Sequence, residues 1–434
     1  MAFFFIIGSS SILHPIKTSI FLGFVGKEYQ PIAKILTIVI MIPAMLAYSK
    51  LIDSLKRYQV VYFFLICYAL IGIVFTCLFM HPVYGIANTA TNAHRLTGWA
   101  FEIFIDLYQA FIVGSLWSFI NSISTPNFAN KSYGIIYAVS RIGGILTSTL
   151  GFFILSQNIP KSYHPIPLLT LFASLLLLGA AFAIYKIMQK TPHANLSGYA
   201  DIHLKKDHPK KPIRPGILEG LRLILTEPYV FGIFCLVACY EITFIIFEYQ
   251  MQIFISIENH NNVHAMSKFM LFYTIAFQAL SFVFAVFGTT TLLKKIGLLK
   301  CLLVMPIVTI GLSVIIFANQ SFVVIFIAMV ILRGLQYGFN KPVQEILYIP
   351  TAKDIQFKSK AWINSFGRTF SKSSGSMFNL LSLVQSASFF IGFQTIIALV
   401  ISTLWLGISV AIGRKYQKTI KTNGLIGYQQ EDNI

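Results

Sequence analysis

The sequence predicts an all-α polytopic membrane protein with twelve transmembrane helices in two six-helix halves, and three observations carry that reading. First, 56% of the 434 residues are hydrophobic and only 11% charged, with a mean hydropathy of +0.73, whereas a soluble domain has about 25% charged residues to solvate its surface. Second, apolar runs of about 17 to 25 residues, long enough to cross a hydrocarbon core, can be laid down twelve times. They fall at 2–24, 33–49, 60–80, 99–121, 134–156, 167–186, 229–255, 269–291, 299–318, 322–346, 362–385 and 391–412. Third, 22 of the 33 Lys and Arg fall on one side of the membrane under this layout, five (Lys27, Lys34, Arg95, Lys161 and Lys268) on the other, and six inside spans. Such an asymmetry predicts that both termini are cytoplasmic, which requires an even number of spans.

Taken in order, the first span opens as Phe3-Phe4-Phe5-Ile6-Ile7, already membrane core. It lacks a basic n-region and a small-residue cleavage site, so neither a signal peptide nor a transit peptide is predicted. The second span carries a mid-helix proline, Pro43, and the fourth carries Glu102 and Asp106. In the fifth, Ser140, Gly144 and Ser148 repeat every fourth position, a spacing that lets helix backbones approach closely. The sixth ends at a hydrophilic interval, 187–228, with Lys205-Lys206, Lys210-Lys211, Pro192, Pro209, Pro212 and Pro215. Six spans, a basic cytoplasmic linker and six more spans is the layout of the major facilitator architecture. The expected organisation is therefore 1–186, linker 187–228, 229–413 and a cytoplasmic tail 414–434. Within the linker, Gly216 to Leu225 fits either a short interfacial helix or a plain connection. A shift of 227 residues sets Lys131-Ser132 on Lys358-Ser359, Arg141 on Arg368, and Asp106 against Arg333, which is consistent with two related halves.

Several functions are excluded by what the residues lack. Cys67, Cys77, Cys235, Cys239 and Cys301 all lie in spans, and only His14 of the nine histidines does. Cys235 and Cys239 have no histidine or second cysteine pair beside them, so the cysteines read as small packing residues and no metal site is predicted. There is no P-loop, since Gly26-Lys27 is followed by Glu28. Nor is there a buried His–acid pair or Ser–His arrangement, so neither a catalytic residue nor a cofactor is expected. The net charge of +18 is spent on topology, which leaves no reason to expect a nucleic-acid partner.

The charges inside the spans point to transport. Eleven ionisable residues lie there: Lys17, Glu102, Asp106, Arg141, Glu241, Glu248, Arg333, Lys341, Glu345, Arg368 and Lys372. Each costs roughly 2.5 to 3.5 kcal/mol at mid-membrane even on lenient scales, on the order of 30 kcal/mol together. Eight form pairs four or seven residues apart, Glu102/Asp106, Glu241/Glu248, Lys341/Glu345 and Arg368/Lys372, which places both members on one helix face. In the tenth span, Arg333, Gln336, Asn340, Lys341 and Gln344 share roughly 140° of the helix surface at 100° per residue, with Glu345 at the margin. In the eleventh, Asn364, Ser365, Arg368, Ser371, Lys372, Gly375, Ser376 and Asn379 gather on one side. Arginine forks with lysine point charges suit phosphate. The same cations can pair with the five acids when the site is empty, and the acidic pairs fit a proton relay equally well, which leaves a proton-coupled transporter of another organic anion as the alternative.

Several stretches resemble the nucleotide transporter family, the ATP/ADP translocases of obligate intracellular bacteria and plastids. Lys341-Pro-Val-Gln-Glu-Ile-Leu-Tyr-Ile-Pro350, Phe357-Lys-Ser-Lys-Ala-Trp-Ile-Asn364 and Gly367-Arg-Thr-Phe-Ser-Lys372 with Gly375 are similar to that family's text around its tenth and eleventh helices. His14-Pro-Ile-Lys17-Thr-Ser, Pro31-Ile-Ala-Lys34 with Pro43 and Tyr48-Ser-Lys50-Leu, and Ser140-Arg-Ile-Gly-Gly144 resemble its N-terminal motifs. The resemblance implies nucleotide substrates such as ATP and ADP, with charge-bearing transport positions at Lys34, Asp106 and Glu248. It also shows departures: His14 and Thr18 stand for a cation and an acid, Asp106 for the usual Glu, and Gln344 for the Lys that precedes Glu in ATP/ADP members.

The combined expectation is an ATP:ADP antiporter-like carrier working by alternating access, monomeric and lipid-embedded in a bacterial inner membrane. Its substrate-binding residues would be Lys17, Lys34, Asp106, Arg141, Glu248, Arg333, Lys341, Glu345, Arg368 and Lys372. Reporters fused after Lys206 and Tyr416 are expected to report cytoplasm, and those after Lys161 and Asn262 the opposite side. An external signal after Lys206 would overturn the six-plus-six layout.

Overall fold

A computed structural model of the chain describes residues 1–55, 57–123, 126–157, 165–190, 219–351, 355, 359–383, 387–422, 424 and 426. These residues are helical with short connections. The order is α1 (Ala2–Phe24), α2 (Gln30–Ser54), α3 (Arg57–Met80), and α4 (Leu96–Tyr108), which runs through one wide π turn (Gln109–Val113) into α5 (Gly114–Ile123). Then follow α6 (Pro126–Ser156), α7 (Pro165–Lys190), α8 (Glu219–Thr226), α9 (Pro228–Glu258) and α10 (Val263–Val283). A second π turn (Phe284–Gly288) leads to α11 (Thr289–Ala318), and α12 (Phe322–Leu335) passes through a third (Gln336–Asn340) into α13 (Lys341–Ile346). Next come α14 (Lys360–Trp362), a fourth π turn (Ile363–Gly367), α15 (Arg368–Asn379), a 3-10 turn (Leu380–Leu383) and α16 (Ala387–Lys421). Helix α11 is broken at Gly297, whose φ of 78° is a left-handed conformation that side chains disfavour.

Among the described residues, eleven helical segments are long and apolar enough to cross a membrane. They correspond to eleven of the twelve expected spans. The remaining one, the eleventh in order and expected at 362–385, is helical over α14, α15 and the turns beside them. Its Arg368, Ser371, Lys372, Ser373, Ser374, Ser376 and Asn379 make it too polar to count by hydropathy. Most of the linker expected at 187–228 lies outside the described residues, but Gly216 to Leu225 does end in helix α8.

The chain divides into two compact units. The first comprises Met1–Ala33, Val39–Ile213 and Ile255–Gln278, and the second Lys34–Ile38, Arg214–Phe254 and Ala279–Ile434.

In the first unit α1 packs on α4, α6 and α7 and is buried along most of its length. Pro15 has no N–H, so the carbonyl of Ser11 four residues earlier loses its usual donor. Ser148 on α6 supplies the replacement, donating Oγ–H to Ser11 O at 3.2 Å. A Cβ on Gly143 would lie 2.6 Å from the Phe4 carbonyl, so glycine is what allows α6 to seat against α1. Rings of Tyr68, Phe75, Phe79, Phe101 and Phe104 interlock between α3 and α4 with centroids 4.6 to 5.9 Å apart, a spacing typical of packed aromatics.

In the second unit α11 pairs with α16, and the π turns at Phe284–Gly288 and Gln336–Asn340 meet. Gly338 makes that meeting possible, because a Cβ there would collide with the Ser281 carbonyl. Large apolar side chains such as Leu70, Phe182, Ile327 and Leu404 stay exposed, as expected of a surface covered by lipid.

Candidate functional site

The spacing of Glu102 and Asp106 puts both carboxylates on one face of α4, and in the first unit α1 lays a single lysine against that face. Lys17 Nζ is 3.1 Å from Glu102 Oε1 and 2.6 Å from Asp106 Oδ1. Glu102 is fully buried, and its Oε1 also accepts a hydrogen bond from Gln30 Nε2 at 3.2 Å. The sequence reading missed Gln30, since a lone glutamine at a helix start carries no periodic signal. Arg141 is half-buried on α6, two residues before the close approach at Gly143.

The connection from α3 to α4 holds a second residue that sequence reasoning left out. Arg95 stacks 3.5 Å above the Phe24 ring and donates hydrogen bonds to the carbonyls of Gly85, Asn88 and Ala90 at 2.7, 2.9 and 3.1 Å. Burial lowers its pKa from the usual arginine value. Its partners are backbone carbonyls, which no sequence pattern marks.

In the second unit the acids come from α9 and the cations from α12 and α15. Arg368 Nη1 sits 3.0 Å from Glu241 Oε1, and Lys372 Nζ 3.9 Å from Glu241 Oε2. One turn separates the two cations on α15, so they converge on one carboxylate. Arg333 Nη1 is 3.1 Å from Glu248 Oε1, and its guanidinium lies 5.0 Å over the Phe244 ring. Glu241 is nearly inaccessible, whereas Lys372 is 45% exposed. Lys372 is thus the most exposed member of this cluster.

Other expected residues fall differently from the sequence reading. The resemblance placed Lys34 before the second helix, but it lies inside α2 and is buried, and its carbonyl accepts from Ser373 Oγ at 2.7 Å within the second unit. Glu345 pairs with Lys360 at the start of α14 instead of with Lys341, its neighbour by spacing. It is one residue from the end of α13, so its half-exposed carboxylate reaches the segment that follows. Lys341 holds its ammonium 5.0 Å over the Tyr337 ring. The π turn at Gln336–Asn340 lies between Arg333 and Lys341, so an inserted residue shifts the face of Lys341 relative to that of Arg333 by about 100°. Gln336, Asn340 and Gln344 are all buried.

In the second unit Arg333 thus stands against Glu248, Arg368 and Lys372 against Glu241, and Glu345 against Lys360.

A family model described as TLC ATP/ADP transporter matches residues 1–330 and 320–416. The chain is 24% identical over 355 residues to ADP,ATP carrier protein 3 of Rickettsia prowazekii (strain Madrid E), covering 73% of this chain and 70% of the relative. It is 23% identical over 430 residues to ADP,ATP carrier protein 1 of Rickettsia bellii (strain RML369-C), covering 86% and 83%. Among solved structures, a peptide transporter in complex with alafosfalin superposes with a TM-score of 0.62 at 13% identity, covering 95% of this chain and 94% of the other. The xylose transporter of E. coli in an inward-open conformation gives 0.57 at 12%, covering 93% and 94%. At these identities the structural likeness establishes the major-facilitator-like fold and nothing further.

Removing one partner of a buried ion pair costs about 3 to 5 kcal/mol, because the other charge is left uncompensated. Lys17→Met is therefore expected to lower the melting temperature of the purified protein by several degrees. Adding Glu102→Gln and Asp106→Asn to Lys17→Met should recover most of the loss. A triple variant no more stable than Lys17→Met would show that the lysine acts through packing alone.

Proposed function

The chain belongs to the TLC ATP/ADP transporter family, and from that premise we propose that this nucleotide transporter exchanges ATP for ADP by alternating access. One observation carries the assignment of residues: Arg368 and Lys372 share Glu241, while Arg333 takes Glu248. A carboxylate offers a cation the same planar pair of oxygens that a phosphate offers. In the empty carrier Glu241 and Glu248 stand in for substrate, and an arriving nucleotide takes over their partners. Arg333, Lys341, Arg368 and Lys372 grip phosphates, and Lys17, Lys34, Asp106, Arg141 and Glu345 complete the substrate-responsive set. The carrier is a monomer of the bacterial inner membrane, with lipid around it and both termini cytoplasmic. It needs neither cofactor nor catalytic residue.

The shared lysine of the first unit favours a second reading. Two carboxylates one helical turn apart face a single ammonium, and an acidic pair inside the membrane suits a proton relay in a proton-coupled carrier.

One lost charge-assisted contact is worth about 1.5 to 3 kcal/mol, so Arg368→Ala and Lys372→Ala are each expected to cut nucleotide uptake at limiting substrate tenfold or more. Arg368→Lys should recover only part, because the two-point fork is gone. A folded Lys372→Ala protein with normal uptake would make that lysine structural. In the same assay, efflux of preloaded nucleotide should require external nucleotide. Uptake that collapses with a protonophore in vesicles empty of nucleotide would replace exchange by proton symport.

A further inference from the structure

In the second unit, one turn from Arg333 and next to Lys341, lies a pair of amides that neither the ion-pair map nor the resemblance uses. Asn340 Nδ2 donates to Gln336 Oε1 at 2.6 Å. Gln336 is 1% exposed and Asn340 2%, and Gln336 Nε2 is a buried donor with no hydrogen-bond partner. A buried donor left unmade is costly, and helix packing gains nothing from this one. Gly338, between them in sequence, faces Ser281 and Phe284. Its neighbours at two residues on either side therefore turn away from that contact, and Arg333, which meets Glu248, lies three residues before Gln336.

Resting on the nucleotide-transport reading, we propose that the Gln336–Asn340 pair is the specificity element that reads the nucleobase, and that it selects adenine over guanine. When one amide oxygen accepts from the other amide nitrogen, the pair always presents one donor and one acceptor outward, whichever way the two amides are turned. Adenine offers the complement, a ring-nitrogen acceptor beside the amino donor, and a side-chain amide matches both. Guanine offers two acceptors, N7 and O6, on the corresponding edge, which sets its O6 against the amide oxygen of the pair. Polar sites built for one hydrogen-bond pattern reject the wrong one strongly, because buried groups are left unpaired. The pair's place on the helix also suits it. Arg333 is three residues before Gln336, Lys341 follows Asn340, and the partly exposed Tyr337 lies between, so base and phosphate contacts come from one polar stretch.

The test is competition against uptake of labelled ADP in proteoliposomes of the full-length protein, using ADP, GDP and inorganic pyrophosphate as competitors. The wild type should be inhibited at least tenfold better by ADP than by GDP. Gln336→Leu and Asn340→Leu should each bring that ratio towards one while inhibition by pyrophosphate changes less than twofold, since the phosphate grip is untouched. Should the leucines impair folding, Asn340→Asp gives a second route. It turns the Gln336 amide to donate inward and leaves acceptors outward, which no longer match adenine's ring nitrogen but can accept from the N1–H and N2–H donors on guanine's Watson–Crick edge, so relative inhibition by GDP should rise. Full adenine preference in a folded Gln336→Leu protein, or a wild type equally inhibited by ADP and GDP, would overturn the proposal and leave nucleotide transport standing. Inhibition by no nucleotide at all would instead remove the premise.

Discussion

A buried charge in this protein is tolerable only while something of opposite charge lies against it. In a low-dielectric interior an unpaired ion costs several kcal/mol after relaxation, and a paired one breaks even only when the geometry is close. Lys17 is answered by Glu102 and Asp106, Arg333 by Glu248, and Arg368 and Lys372 by Glu241. On the proposed reading the same constraint makes the carrier responsive: a substrate bearing several negative charges takes partners from a carboxylate, the carboxylate then needs a new arrangement, and binding is linked to conformational preference, as a population shift between states requires.

The helices that carry these groups are held by devices suited to an interior without water. Ser148 satisfies the carbonyl that Pro15 leaves open. Gln278 Nε2 donates to Ser11 Oγ at 2.9 Å, on the same stretch of α1. In the second unit Asn379 on α15 receives Gln394 Nε2 from α16 at 2.5 Å and donates to the Ile245 carbonyl of α9 at 3.3 Å. Such bonds cost little inside a helix bundle and fix where α1, α9 and α15 present their charges. The π turns at Gln336–Asn340 and Ile363–Gly367 immediately precede Lys341 and Arg368. Wide turns of this kind recur at functional sites because they re-aim side chains without breaking the helix.

Much of this was legible in the sequence. The sequence placed all twelve spans, eleven of which are long and apolar enough to cross a membrane among the described residues, and four- and seven-residue spacing found the acid pairs and the Arg368/Lys372 pair, because these depend on local periodicity. The eleventh span is helical but more polar than the rest. Partner choice was not legible. Nothing local says that Lys17 serves two acids, that Glu345 turns to Lys360, or that Gln30 supports Glu102, since each depends on which helices pack together. The π turns were invisible for the opposite reason: they alter local geometry without a residue signature, so a single helical wheel drawn from Arg333 through Glu345 passes over the turn at Gln336–Asn340. Lys34 shows the reach of a motif. The resemblance singled it out, and only the fold put it inside α2 beside Ser373.

The central claim is that Glu241 occupies the cations a phosphate would take. It is tested most directly by the rise in melting temperature that ADP produces in purified protein, compared between wild type and Glu241→Gln. If the carboxylate competes with substrate, its neutralisation frees Arg368 and Lys372, and the ADP-induced rise should be larger in Glu241→Gln than in wild type, since tighter binding to the folded state raises stability by mass action. An unchanged or smaller rise in a folded Glu241→Gln protein would contradict the account and return those ion pairs to a purely structural role.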